Sequence, residues 1–112
     1  MEKEYLYVGH YIDVNGNYIL KVGTTNDPER RRKEHCKKYP SARTCPMRKG
    51  EEFVYDWKVK LTRANTLKFE AKTKEAWKEE NFGDYVMQDR FCCNEKPHSV
   101  FITIRKTYEI IL

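Results

Sequence analysis

Asn15-Gly16, set between two runs rich in aromatic and β-branched residues, constrains this chain more than any other feature. Residues 5–12 read Tyr-Leu-Tyr-Val-Gly-His-Tyr-Ile and residues 18–24 read Tyr-Ile-Leu-Lys-Val-Gly-Thr. Such side chains suit a pleated, half-buried surface, so both runs are expected as strands. Asn-Gly offers the positive-φ pair of a tight reversal, which makes the two runs an antiparallel hairpin.

Asn26, Asp27, Pro28 and Glu29 follow as a helix start. Asp27 can cap, Pro28 suits the first helical position, and Glu29 favours the positive end of the helix dipole. The helix should stop before Tyr39-Pro40, because the residue preceding a proline avoids helical geometry. It offers almost no apolar stripe, only Cys36, so the helix is either marginal or has its charged face occupied by a ligand. Residues 40–52 read as a basic loop. Phe53, Tyr55, Trp57, Val59 and Leu61 alternate as a third strand with one buried face. A long helix is expected over residues 63–80. In the tail, Val100, Ile102 and Ile104 suggest a strand, whereas Phe101, Ile104, Tyr108 and Ile111 fit a helix face capped by Ser99 after Pro97, and the helix is preferred. The fold class is α/β (α+β), a small, mainly antiparallel sheet of about three strands flanked by helices.

A chain of 112 residues is one domain, spanning 1–112, long enough to bury a core without staples. Its net charge is +5, and Arg30, Arg31, Arg32, Lys33, Lys37 and Lys38 fall within nine residues, with Arg43, Arg48 and Lys49 soon after. Such a block can neutralise phosphates, or can simply be a solvated surface. No run approaches the length of a membrane span, and the N-terminus lacks the apolar stretch of a signal peptide. Cys36, Cys45, Cys92 and Cys93 make no disulfide framework, since vicinal cysteines rarely bridge, and an intracellular setting is expected. A zinc site built from these cysteines with His35 or His98 is a rival reading, disfavoured because no Cys-x-x-Cys pair is present.

Two clusters could carry chemistry. On the long helix, Ala64, Leu67, Ala71 and Trp77 share an arc that also holds Glu70, while Glu75 and Glu79 point away. A carboxylate on the core side asks for a cation, a metal or a raised pKa. The plain alternative is a structural salt bridge with a nearby arginine. On the first helix, Arg31, His35 and Lys38 share a face suited to phosphate, or simply to water.

Read in order along the chain, these features resemble the GIY-YIG nuclease superfamily. Tyr5-Leu6-Tyr7 stands where that family has Gly-Ile-Tyr, and Lys21-Val22-Gly23 where it has Tyr-Ile-Gly. The stretch from Gly23 to Arg31 resembles the one leading to the family's catalytic arginine, which places Arg31 rather than Arg30 or Arg32. His35 matches a histidine one turn later, and Glu70 matches the metal-ligand glutamate. The first motif lacks its glycine, 13 residues separate the two motifs, and Lys21 replaces a tyrosine, as in some restriction-enzyme-like and phage-type members. Only Asn94 could stand for the family's late asparagine.

The resemblance implies a metal-dependent endonuclease acting on DNA. Glu70 would hold Mg²⁺ or Mn²⁺, Arg31 would clamp the scissile phosphate, and Tyr7 would be the general base. Lys21 would assist Tyr7 or bind phosphate itself, and Tyr18 and His35 would contribute secondarily. Arg30, Arg32, Lys38, Arg43, Arg48 and Lys49 would bind nucleic acid. Specificity would come from residues 40–52, from a homodimer or from a targeting partner. The alternative is a catalytically inactive module of the same kind that binds DNA or protein.

Overall fold

The computed structural model describes residues 3–79, 84–85 and 90–93. In chain order come β1 (Lys3–Ile12), β2 (Tyr18–Thr25), α1 (Pro28–Lys38), a 3-10 turn (Tyr39–Ser41), β3 (Val54–Thr62), α2 (Arg63–Glu79), β4 (Asp84–Tyr85) and β5 (Arg90–Cys93). The fold is α+β. Among the described residues, one sheet has the order β3-β1-β2-β5-β4 with every neighbouring pair antiparallel, and two α-helices accompany it. The expected count of three strands is too low. β5 adds to β2 through Tyr18↔Cys93 to Lys21↔Arg90, and the two-residue β4 pairs with β5. Four residues reading Arg-Phe-Cys-Cys are too short and too mixed to signal a strand by alternation. The expected C-terminal helix, Asn94 and His98 lie outside the described residues.

The hairpin forms where expected, but its turn is of another type. Gly16 has φ +83° and Asn15 is not in the positive-φ region. Asp13 Oδ1 accepts hydrogen bonds from the Asn15 and Asn17 amides at 2.9 Å each, and the Gly16 amide bonds to the Asp13 carbonyl at 3.0 Å. This is a three-residue loop ending in a left-handed glycine, for which one positive φ suffices. The buried Asp13 carboxylate holds this loop by accepting its amides.

Alternation along β1 and β2 divides the sheet into two apolar faces. Leu6, Val8, Leu20 and Val22 point to one face, where Phe69 and Trp77 of α2 and Phe91 and Cys93 of β5 cover them. Tyr7, Tyr11 and Ile19 point to the other, where Tyr39, Met47 and Phe53 cover them. Each fully buried side chain of this size contributes about 1.5–3 kcal/mol.

Two sequence expectations about faces need correction. β3 does not have one buried face: Trp57, Val59 and Leu61 pack on the α2 side, whereas Tyr55 joins Phe53 on the α1 side. A bulge against Val8/Gly9 causes the switch, because Val8 pairs with Trp57 but Gly9 pairs with Tyr55. One extra residue reverses the facing of everything before it. On α2 the buried side chains are Thr66, Phe69, Thr73 and Trp77, whereas Ala64, Leu67 and Ala71 are exposed. The arc is rotated because Thr66 and Thr73 can be buried: their hydroxyls donate back to the Arg63 and Phe69 carbonyls at 2.7 Å each.

Candidate active site

The α1 side of the hairpin carries the densest polar cluster among the described residues. Tyr7 points from β1 under α1 and is 1% exposed. Its hydroxyl lies 2.8 Å from His35 Nε2, a hydrogen bond spanning 28 positions of sequence. Space for the ring comes from Gly23, its cross-strand partner. A Cβ there would stand 2.5 Å from the Tyr7 hydroxyl and 2.7 Å from Cζ.

α1 starts as its sequence dictates. Asp27 Oδ1 accepts the Arg30 amide at 3.2 Å and Pro28 opens the helix. His35 is the buried residue of this helix, at 2% exposure. Its ring stacks on Tyr39 at 4.9 Å and 5°, and meets Phe53 at 4.7 Å. Cys36 Sγ accepts the Phe53 amide at 3.4 Å, and the Tyr55 hydroxyl donates to the Pro28 carbonyl at 2.6 Å. So the polar helix is held to the sheet by its histidine, its cysteine and its N-terminal carbonyl. Reading the helix face as wholly solvated or phosphate-bound missed this, because no apolar stripe announces it.

Burial and the neighbouring charges of Arg31, Lys21 and Lys38 push the His35 pKa down from 6.5 to about 3. The imidazole is therefore neutral near neutral pH. Its Nδ1 is buried with no hydrogen-bond partner among the described residues.

Arg31 stands one turn before His35, partly exposed. Partial burial lowers its pKa, but hydrogen bonding to Glu34 and Tyr7 outweighs that, so the guanidinium is held above its ordinary value. Its Nη1 donates to Glu34 Oε2 at 2.8 Å. Lys21, 8% exposed, projects from β2 on the same face, paired with Gly9 on one side and Arg90 on the other. Tyr7, Lys21, Arg31 and His35 are thus brought together from three elements.

Other expected site residues lie elsewhere. Tyr18 packs on the α2 side of the sheet, 6.0 Å from the His10 ring. Glu70 is also on that side, at the flank of the buried stripe of α2, with Oε1 3.0 Å from Lys74 Nζ. Its partner is a lysine one turn on, rather than an arginine. Among the described residues no group of three or more His, Cys, Asp or Glu side chains is placed to hold a metal, and all four cysteines are free. A single carboxylate suits a hard divalent ion that keeps most of its water. Glu70, however, faces the layer opposite Tyr7 and is engaged by Lys74, so the described residues do not build a metal centre around the Tyr7 cluster.

The basic residues are largely compensated. Arg30 lies 3.5 Å from Glu34 and 3.0 Å from Asn26 Oδ1, Arg32 is 2.9 Å from Glu29, and Arg48 is 3.0 Å from Glu51. Lys38, Arg43 and Lys49 are exposed. Sequence reading passed over Tyr55, whose ring lies 5.0 Å from Tyr7, and Arg90. The buried Arg90 guanidinium donates to the Tyr11 hydroxyl at 2.7 Å and the Thr44 carbonyl at 2.8 Å, and lies 5.2 Å from the Tyr39 ring centroid. A lone arginine 79 positions from its tyrosine has no local signature.

Comparison with family models, curated proteins and solved structures gave no match to this chain. No described helix is long and apolar enough to cross a membrane.

Proposed function

We propose that this protein is a GIY-YIG-type endonuclease that hydrolyses phosphodiester bonds in DNA. The reading rests on one observation, the buried Tyr7–His35 hydrogen bond flanked by the cations Arg31 and Lys21. Phosphodiester hydrolysis needs a base for the attacking water and fixed positive charge where oxygen charge develops. Tyr7 is the base, and Arg31 holds the scissile phosphate with its planar fork of donors. His35 positions the phenol rather than taking its proton, because a pKa near 3 makes it a poor acceptor. Lys21 offsets negative charge on the phenol or phosphate oxygen. The resemblance assigns Mg²⁺ or Mn²⁺ to Glu70, but Glu70 lies across the sheet from Tyr7 and is paired with Lys74, so no step of this reading is routed through a metal.

A second reading, a module that binds nucleic acid without cutting it, is favoured by one specific observation. Glu70 is tied to Lys74 on the opposite side of the sheet.

One assay separates the two: plasmid and single-stranded DNA, with Mg²⁺ or Mn²⁺, and the wild type beside Tyr7→Phe, Arg31→Ala and Glu70→Ala. Cutting by wild type alone supports the nuclease. Binding with no cutting under any metal condition leaves the binding module and sinks the enzyme.

A further inference from the structure

We infer that, beyond the scissile phosphate, the cations meeting the sugar–phosphate backbone are chiefly Lys58 and Lys60 of β3, rather than Arg30 and Arg32 of α1. This rests on the reading above that a nucleic acid is the ligand, and gives the path by which its backbone reaches Tyr7.

Arg30, held by Glu34, and Arg32, held by Glu29, are poorly disposed for that task, whereas Arg31 is kept for the scissile phosphate. Arg30 and Arg31 share Glu34, and Arg32 is bound to Glu29. A phosphate approaching these side chains also meets the carboxylates that hold them, and must break charge-assisted bonds to replace them.

Lys58 and Lys60 are exposed, and neither forms an ion pair among the described residues. Their ammonium groups instead lie over aromatic rings, Lys58 at 5.5 Å from the Tyr55 centroid and Lys60 at 5.6 Å from that of Tyr5. Cation–π contacts at partly exposed rings are weak, about 0.5–1 kcal/mol, so both ammonium groups can be given up to a phosphate.

Their position follows from register. Lys58 pairs with Tyr7 and Lys60 with Tyr5, so both project on the Tyr7 side of the sheet. The bulge is what permits this: one strand turns Tyr55, Lys58 and Lys60 to the same face while burying Trp57 and Val59 on the other. β3 is the outer strand of the sheet order, leaving the lysine row at a rim. The first turn of α1 adjoins this row. The Glu29 carboxyl, held low first by its Arg32 hydrogen bond, also feels Lys58. A backbone laid along β3 would therefore pass from Lys60 to Lys58 and on to Arg31, with Tyr5 and Tyr55 as flat surfaces on which an unpaired base can stack.

The test is binding of a short fluorescent duplex DNA, read by anisotropy in chelator so that cleavage plays no part. Lys58→Ala with Lys60→Ala should weaken binding on the order of tenfold and flatten the log–log salt slope by about 1.8, two phosphate contacts' worth. Arg30→Ala with Arg32→Ala, removing the same formal charge, should weaken it less than about threefold. Lys58→Arg with Lys60→Arg should bind like wild type, and unchanged circular dichroism and thermal midpoints would exclude misfolding as the cause. Wild-type binding by the lysine-to-alanine pair, or an equal or larger loss in the arginine pair, overturns the inference alone. Wild type that binds no DNA overturns it together with the nucleic-acid reading. Lysine-dependent binding by a protein that cuts no DNA in the separate assay with Mg²⁺ or Mn²⁺ overturns only the nuclease.

Discussion

Gly23 lies directly beneath the Tyr7 hydroxyl, so close that a single added methyl would stand 2.5 Å from the phenol oxygen. The two residues are cross-strand partners in the β1–β2 ladder, and the absent side chain of one makes room for the ring of the other. The glycine is required by close approach rather than by its backbone angle.

Gly23→Ala should therefore displace a ring that is closed in on every side. We expect a loss of about 1–3 kcal/mol in urea denaturation, as for overpacking in a dense core. An unchanged midpoint and slope would show that Tyr7 has room to move and that the contact is slack.

The depressed His35 pKa makes stability depend on pH with a definite sign. An ordinary histidine titrates near 6.5, whereas the folded chain keeps His35 neutral down to about 3. Between these values the unfolded chain binds the extra proton. The His35 contribution is therefore complete above pH 6.5 and is lost as pH falls toward 3, by up to about 1.4 kcal/mol per pH unit. His35→Phe, which keeps an aromatic ring against Tyr39, should lose that component. Equal pH slopes for the two proteins between 4 and 6.5 would contradict it.

Replacing Glu70 should separate chemistry from stability. Its pair with Lys74 joins two side chains that are about a fifth exposed and one helical turn apart, so Glu70→Gln should cost less than about 0.5 kcal/mol. With the metal role that the resemblance gives Glu70, the same variant loses cleavage while retaining DNA binding. Full cleavage by a normally folded Glu70→Gln protein would remove Glu70 from the mechanism.

Arg90 carries a structural prediction. Its guanidinium serves the Tyr11 hydroxyl and the Thr44 carbonyl, while burial, the main influence, pushes the Tyr11 pKa up to about 12. Arg90→Met fills similar volume but leaves the carbonyl without that donor, and should cost about 1–3 kcal/mol. Because Tyr11 in turn donates to the Cys45 carbonyl at 2.7 Å, the loop holding Thr44 and Cys45 should loosen too. Faster amide exchange there is the sign to look for, and protection equal to wild type would show the loop is held by other contacts.

Local chemistry was enough for the hairpin, for the start and end of α1, and for the existence of β3 and α2. Each of those depends on residues within a few positions of one another, such as Asp27 capping the Arg30 amide and Gly16 closing a turn; α1 ends at Lys38 as expected, but Tyr39 before Pro40 keeps helical angles and leads into a 3-10 turn. The family resemblance also named Tyr7, Lys21, Arg31, His35, Tyr18 and Glu70; the first four meet on one face of the sheet, and Tyr18 and Glu70 lie on the other. Three facts depended on distant partners and so on tertiary structure. One residue of bulge against Gly9 decided which face Tyr55 occupies, and a one-residue shift has no compositional trace. Burial of threonines satisfied by their own helix rotated α2 and put Glu70 at its flank, across the sheet from Tyr7. And His35, one residue in a basic run, became the buried anchor of its helix because Tyr7, Tyr39 and Phe53 enclose it. Periodicity reports which residues can share a face; only the folded chain decides what that face meets.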